Sequence, residues 1–292
     1  MAQLFPIRLP LSRRPPMATG AARAPYRGLA NAPIQAPWAW AMLGAVLGVL
    51  VCGLLFAPAR WLAGWLQQAS SGQLVLQEAR GTLWSGSARL TLTGGTSSQE
   101  AATLPGRLQW QVRPVFSAGP AGLALQLSAD CCVTPAWTWR VSPQWGGARM
   151  AVSDSSSRWP AELLAGLGTP WNTIAAQGQL ALSTQALVLS WTGGRMQVAG
   201  SAQLDALDLS SRLSTLRPMG SYRFALSGGA APTLQLSTLG GALQLSGQGQ
   251  WVGNKLRFVG EASSAPESLS ALSNLLNIIG RRDGARSLIK VG

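Results

Sequence analysis

Histidine is missing from this chain of 292 residues, and ten acidic residues stand against 23 basic ones. Without histidine there is no ordinary general base near neutral pH, no Ser–His or Cys–His nucleophile pair, and none of the commonest metal ligand. The carboxylates Glu78, Glu100, Asp130, Asp154, Glu162, Asp205, Asp208, Glu261, Glu267 and Asp283 are scattered. Only Asp205 and Asp208 stand close, and on a regular strand that spacing turns them to opposite faces. The chain is therefore expected not to be an enzyme and to hold no catalytic, cofactor or metal site.

Cysteine is nearly as scarce, with three residues. Cys52 falls in an apolar run, where it reads as a small apolar side chain. Cys131 and Cys132 are adjacent, and a bridge between neighbours is strained because consecutive Cα atoms lie ~3.8 Å apart against the usual ~4.4–6.8 Å. Free thiols are nevertheless vulnerable in an oxidising compartment. A vicinal disulfide pinning a turn is the expectation, and no Cys-x-x-Cys spacing argues for a redox enzyme.

Charged residues make up only 11% of the chain and apolar ones 47%, so much of it can bury a core. One apolar stretch is uninterrupted: residues 38–57, WAWAMLGAVLGVLVCGLLFA. Twenty residues at ~1.5 Å each span roughly the thickness of a bilayer's hydrocarbon core. Trp38 and Trp40 mark one end, and Phe56, Trp61 and Trp65 the other, as membrane-interface aromatics do. Residues 1–37 carry five arginines, seven prolines and no acid. They are read as a disordered cytoplasmic tail, drawn to anionic lipid head groups rather than to nucleic acid. The small residues around Ala57-Pro58-Ala59 suit a signal-peptide cleavage site, but the apolar run exceeds the ~7–15 residues of such a core, so a retained anchor is expected. Residues 58–73 then form a juxtamembrane segment, with a helix over 58–66 carrying Trp61 and Trp65 one turn apart.

From residue 74 onward the pattern alternates. Leu90 and Leu92, Leu123, Leu125 and Leu127, Leu187 and Leu189, and Leu243 and Leu245 recur at period two between Ser, Thr and Gln. This predicts half-buried strands over 74–292, with Gly/Ser/Pro clusters as turns. Gly81-Thr82-Leu83-Trp84-Ser85-Gly86 sits between two such runs. The same layout returns around Gly193-Gly194 and Gly240-Gly241, with a second glycine following at Gly200 and Gly247. The repetition predicts a mainly β fold: a curved or partly open antiparallel sheet of repeated hairpins, one N-terminal transmembrane helix and a few short helices.

A short helix is expected over Arg158–Leu164, with Pro160 in its first turn. An ambiguous, part-helical stretch is expected over Asp205–Leu216. A better helix covers Pro266–Ile279, with Gly280 at its cap and a last strand at Ser287–Val291. Trp84, Trp110, Trp137, Trp139, Trp191 and Trp251 are read as packing residues rather than a stacking platform for sugars or bases.

Taken with the apolar run, the GTLWSGSARL hairpin and the segments LDALDLSSRLSTLRPMGSY and LNIIGRRDGARSLIKVG resemble protein N of bacterial type II secretion systems, from about Trp38 to the C-terminus. Gly81, Thr82, Trp84, Ser85 and Gly86 match that family's most recognisable motif, and Asn277-Ile278-Ile279-Gly280 its C-terminal segment. The resemblance implies a single-pass inner-membrane protein with a periplasmic β domain. Such a protein is an accessory part of the machine exporting folded proteins, partnered by other secretion components and by inner-membrane lipid. It carries over no catalytic residue. Glycine-rich β repeats also occur in AsmA-like periplasmic proteins that handle lipid, so a lipid-binding or lipid-transfer module with a lipid ligand is the alternative.

Overall fold

The computed structural model describes residues 38–95, 100–116, 120–253 and 255–292. The expected tail over 1–37 lies outside these, as does Gly119 of the anticipated Gly119-Pro120 turn. By contact the chain divides into two units, residues 1–47 and 48–292.

The apolar run folds as a helix, α1 (Trp38–Leu55), in which every residue is exposed. It is long and apolar enough to cross a membrane. Nothing among the described residues buries this apolar helix, which is exposed on all sides. The helical run breaks at Pro58, whose ring fixes φ at −71° and removes a backbone donor, and α2 (Ala59–Ala69) starts immediately after.

Sixteen strands follow: β1 (Leu74–Gly81), β2 (Ser85–Thr93), β3 (Ala101–Thr103), β4 (Leu108–Val115), β5 (Gly122–Ala129), β6 (Val133–Gln144), β7 (Gly147–Val152) and β8 (Ser155–Pro160) in the first half. A 3-10 turn (Ala161–Leu167) and a single turn of helix, α3 (Trp171–Ile174), precede β9 (Gln177–Thr192), β10 (Arg195–Ser210), β11 (Gly220–Gly229), β12 (Thr233–Gly241), β13 (Leu243–Val252) and β14 (Lys255–Ser264). The chain ends with α4 (Leu269–Ile279), β15 (Arg281–Asp283) and β16 (Arg286–Val291). All sixteen strands belong to one antiparallel sheet, ordered β1-β2-β4-β5-β6-β7-β9-β10-β11-β12-β13-β14-β16-β15, with β3 beside β2 and β8 beside β9. Its first and last strands do not meet, so the sheet is open, and nearly every strand lies beside its neighbour in sequence.

The three glycine hairpins are not three copies of one turn. Gly193-Gly194, with φ of 56° and 75°, makes the two-residue turn between β9 and β10 that Thr192↔Arg195 pairing requires. Gly81 and Gly86 instead pair across a four-residue loop. Gly240-Gly241 is not a turn at all: both residues continue β12 along β11, where Gly241 faces Gly220. A Cβ on Gly241 would lie 2.2 Å from the Gly220 Cα, so this glycine serves a close backbone crossing. Met219 O accepts from both Ala242 N (2.9 Å) and Leu243 N (3.1 Å), turning the chain out of register. The β12–β13 ladder consequently ends at Leu236↔Gly247. Beyond it Thr238 Oγ1 bridges the gap, accepting from Leu245 N and donating to Leu245 O.

The expected helix at Arg158–Leu164 is corrected likewise. Arg158, Trp159 and Pro160 belong to β8 and pair with Ala181, Leu180 and Gln179, and the helical turn starts only at Ala161. Asp205–Ser210 completes β10, and a bulge with Asp208 at φ 51° replaces the expected helical turn. The C-terminal helix forms where its periodicity places it. Gly280 leaves it in extended conformation rather than as a left-handed cap, and a Cβ there would meet Leu288 O at 2.5 Å.

Helices cover separate parts of the sheet. Leu272, Leu275 and Leu276 of α4 pack with Tyr222, Leu236, Phe258 and Ala262. Leu163 of the 3-10 turn joins Leu104, Ala129, Cys132 and Val133. Leu62, Ala63 and Leu66 of α2 pack over Leu76, Ala88 and Trp110. A fourth cluster, Val152, Leu187 and Val198 with Trp137 and Trp139 beside them, is built from strand residues alone. The two indoles meet edge to face, centroids 5.3 Å apart at 84°.

Candidate functional site

The motif residues Gly81, Thr82, Trp84, Ser85 and Gly86 come together in the loop joining β1 to β2. Gly81 has φ +90°, and a Cβ there would sit 2.4 Å from Ser85 O, so only glycine fits without strain. Thr82 N donates to Ser85 O (2.8 Å) and Ser85 N to Thr82 Oγ1 (3.1 Å), closing the loop from within. Gly86 makes room for Trp110: a Cβ on it would lie 2.5 Å from the indole Cζ2. The buried Trp110 ring then passes under the loop and donates from Nε1 toward Thr82 O (3.3 Å) and Leu83 O (3.2 Å).

This loop grips the end of the apolar helix. Trp84 Nε1 donates to Leu54 O (2.9 Å), a carbonyl in the last helical turn that has lost its ordinary partner. Leu83 N donates to Ala57 O (2.8 Å), and Thr82 bridges Pro58. On the sheet side Val112 N donates to Trp84 O (2.7 Å). The motif is thus a clamp between Leu54–Pro58 and the β2–β4 end of the sheet. From there α2 returns alongside β1, with Leu62 and Leu66 packed inward and Trp61 and Trp65 exposed at 61% and 65%.

A polar cleft of about 560 Å³ opens beside the loop, lined in part by Arg80, Ser87, Arg107, Gln109 and Gln126. Arg107 staples the β1 bulge: its guanidinium donates to Glu78 O (2.7 Å), to Glu78 Oε2 (3.2 Å) and to Ser87 Oγ (3.1 Å). Glu78 also meets Arg89 at 3.2 Å. The cleft lining holds arginines, serine hydroxyls and glutamine amides but no carboxylate or thiol, so it offers hydrogen bonds and positive charge.

Cys131 and Cys132 are joined by a disulfide in the turn between β5 and β6. Cys132 N donates to Ala129 O and Cys132 O accepts from Arg158 N, both at 2.9 Å, fixing the turn against β8. Among the described residues no three His, Cys, Asp or Glu side chains form a group able to hold a metal ion. Asp205 lies across from Arg223, which holds it through two bonds of 2.8 Å. That pairing lowers the carboxyl below its ordinary range, against a partial desolvation that raises it.

Sequence reasoning located the motif but missed what it binds. The partner carbonyls Leu54 O and Ala57 O carry no side-chain signature, and only the chain's return past Pro58 brings them to Trp84 and Leu83.

An open antiparallel sheet clamped to an exposed apolar helix defines a β scaffold with a candidate membrane anchor. The family model described as Type II secretion system (T2SS), protein N, matches residues 72–288, and the chain belongs to that family. The matched segment begins just before β1 rather than at Trp38. The chain is an accessory component of type II secretion machinery. No curated protein and no solved structure matches it.

Proposed function

We propose that the chain is held in the bacterial inner membrane by α1, with residues 1–37 cytoplasmic and 74–292 periplasmic, and presents its sheet to other secretion components. The observation that carries this reading is the clamp. A family member of the secretion machinery ties its sheet, through Trp84 and Leu83, to the end of an apolar helix that nothing among the described residues buries. The arginine-rich, acid-free tail before the helix sets the orientation through the positive-inside rule. The sheet's terminal strand β1 has a strand neighbour on one side only and α2 packed alongside it, so β1 and α2 together form the edge presented to a partner. Photocrosslinkers placed along β1 in the producing cell are expected to capture a secretion component. Deletion of the gene with type II export left intact would remove the accessory role.

A second reading, a lipid-binding module, is favoured by one observation. The strand-only cluster leaves Trp137 Nε1 and Trp139 Nε1 buried without an acceptor, next to Leu123 and Val141, which are 44% and 40% exposed. Ester carbonyls of a bound lipid would satisfy those donors while acyl chains cover the leucine and valine. Native mass spectrometry of the purified chain distinguishes the readings: stoichiometric lipid supports this one, and its absence leaves the scaffold.

A further inference from the structure

The strand registers place six turns and the chain's last residues on one rim of the sheet. The strand pairs Gly81↔Gly86, Val115↔Gly122, Gln144↔Gly147, Thr192↔Arg195 and Val252↔Lys255 end there, and the connection from β11 to β12 lies between them. It is the rim whose first loop holds Leu54 O and Ala57 O. Its strand ends and connections carry exposed large apolar side chains: Trp145 fully, Phe116 at 79%, and Val252 and Trp191 in part, at 47% and 39%. Arg149, Arg195, Lys255 and Lys290 stand exposed among them.

The carboxylates are elsewhere. Asp130, Asp208 and Asp283 mark the opposite ends of the strands, Glu100, Glu162 and Glu267 lie in connections on that side, and Asp154 stands midway along β9, where it accepts from Ala186 N. Glu78, Asp205 and Glu261 lie within strands, each paired to arginine. One rim of the sheet therefore gathers uncovered aromatic tips with cations and no carboxylate, whereas at the other end the carboxylates are interleaved with arginines such as Arg212, Arg217, Arg281, Arg282 and Arg286.

We infer that this rim seats on the surface of an anionic phospholipid bilayer, the same one that α1 enters. Aromatic rings at turn tips and cations beside them are the pairing that suits the head-group layer. An acidic protein would satisfy the charge, but the apolar tips lie on the rim clamped to the helix end, where the bilayer surface would be. The seat orients the sheet upright from the membrane, with its opposite end and its strand edges projecting away. This inference rests on the membrane-anchor reading of α1.

The test uses the full chain in nanodiscs, with Cys52→Ala removing the free thiol. An environment-sensitive fluorophore is attached through Gln144→Cys at the rim or through Asp283→Cys at the far end. Lipids brominated near the head group are expected to quench the first probe and spare the second when phosphatidylglycerol is present. Trp145→Ser, or joint replacement of Arg149, Arg195, Lys255 and Lys290 by Gln, should reduce the quenching toward the far-end value. Equal water access for both probes, in discs that retain the chain through an alkaline wash, overturns the seat alone. So does a rim probe left unquenched in discs while a crosslinker there captures an acidic protein in cells. A chain released by the wash overturns the anchor and the seat together.

Discussion

Gly81 is the residue on which the clamp depends. Its φ of +90° and the 2.4 Å approach of Ser85 O leave no room for a methyl group. Gly81→Ala is expected to destabilise the chain by about 1–3 kcal/mol, the ordinary cost of strain at a left-handed position. Urea unfolding of the purified chain, followed by tryptophan fluorescence, would measure it. Tyr222 offers the opposite test. Its ring is 2% exposed and its hydroxyl has no partner, and burial pushes the phenol well above its ordinary range. Tyr222→Phe deletes an unsatisfied buried group, so it should raise stability by roughly 1 kcal/mol. In the parent chain, stability should also fall above about pH 10, where unfolded tyrosine ionises and Tyr222 does not. The phenylalanine variant should show less of that alkaline loss.

At the scale of elements, the clamp is a helix end met by a loop. Trp84→Phe keeps a ring but removes the donor to Leu54 O. Hydrogen exchange at Phe56 and Ala57 should accelerate, by roughly threefold to tenfold if the bond contributes about 1 kcal/mol. Unchanged exchange there would mean that the Leu83 and Thr82 contacts hold the helix end without Trp84. Much of this layer was legible in the sequence. Period-two leucines located the strands, and Leu269, Leu272, Leu276 and Ile279 located α4, because each pattern is local and repeats within one element. What failed were glycine pairs and prolines. Gly193-Gly194 and Gly240-Gly241 are identical as dipeptides, yet one makes a hairpin and the other a backbone crossing. The difference lies in Gly220, twenty residues away and chemically silent. Pro160 suits either a helix start or the end of an edge strand, and pairing with β9 decided for the strand.

For the whole molecule, net charge sets how stability responds to pH and salt. Protonating all ten carboxylates would raise the net charge from +13 to +23. Acid should therefore destabilise the chain, and added salt should restore part of the loss by screening. Asp205 contributes a definable share. Its carboxyl is lowered by Arg223, so its stabilisation is present above the unfolded value and is lost as pH falls below about 4. Asp205→Asn should be less stable than the parent at pH 7 and should lose its disadvantage at pH 2, in urea titrations at the two values.

The sequence by itself determined the apolar helix, the alternating strands, the absence of histidine chemistry and the glycine-punctuated hairpin at Gly81–Gly86. These depend on composition and short spacing, which a chain displays before it folds. Only the tertiary structure decided that the motif is a clamp on Leu54 and Ala57, and that cations and uncovered aromatics share one rim. Those follow from strand direction and register, which set residues as far apart in sequence as Phe116 and Lys290 on the same rim and can be fixed only when the sheet is assembled.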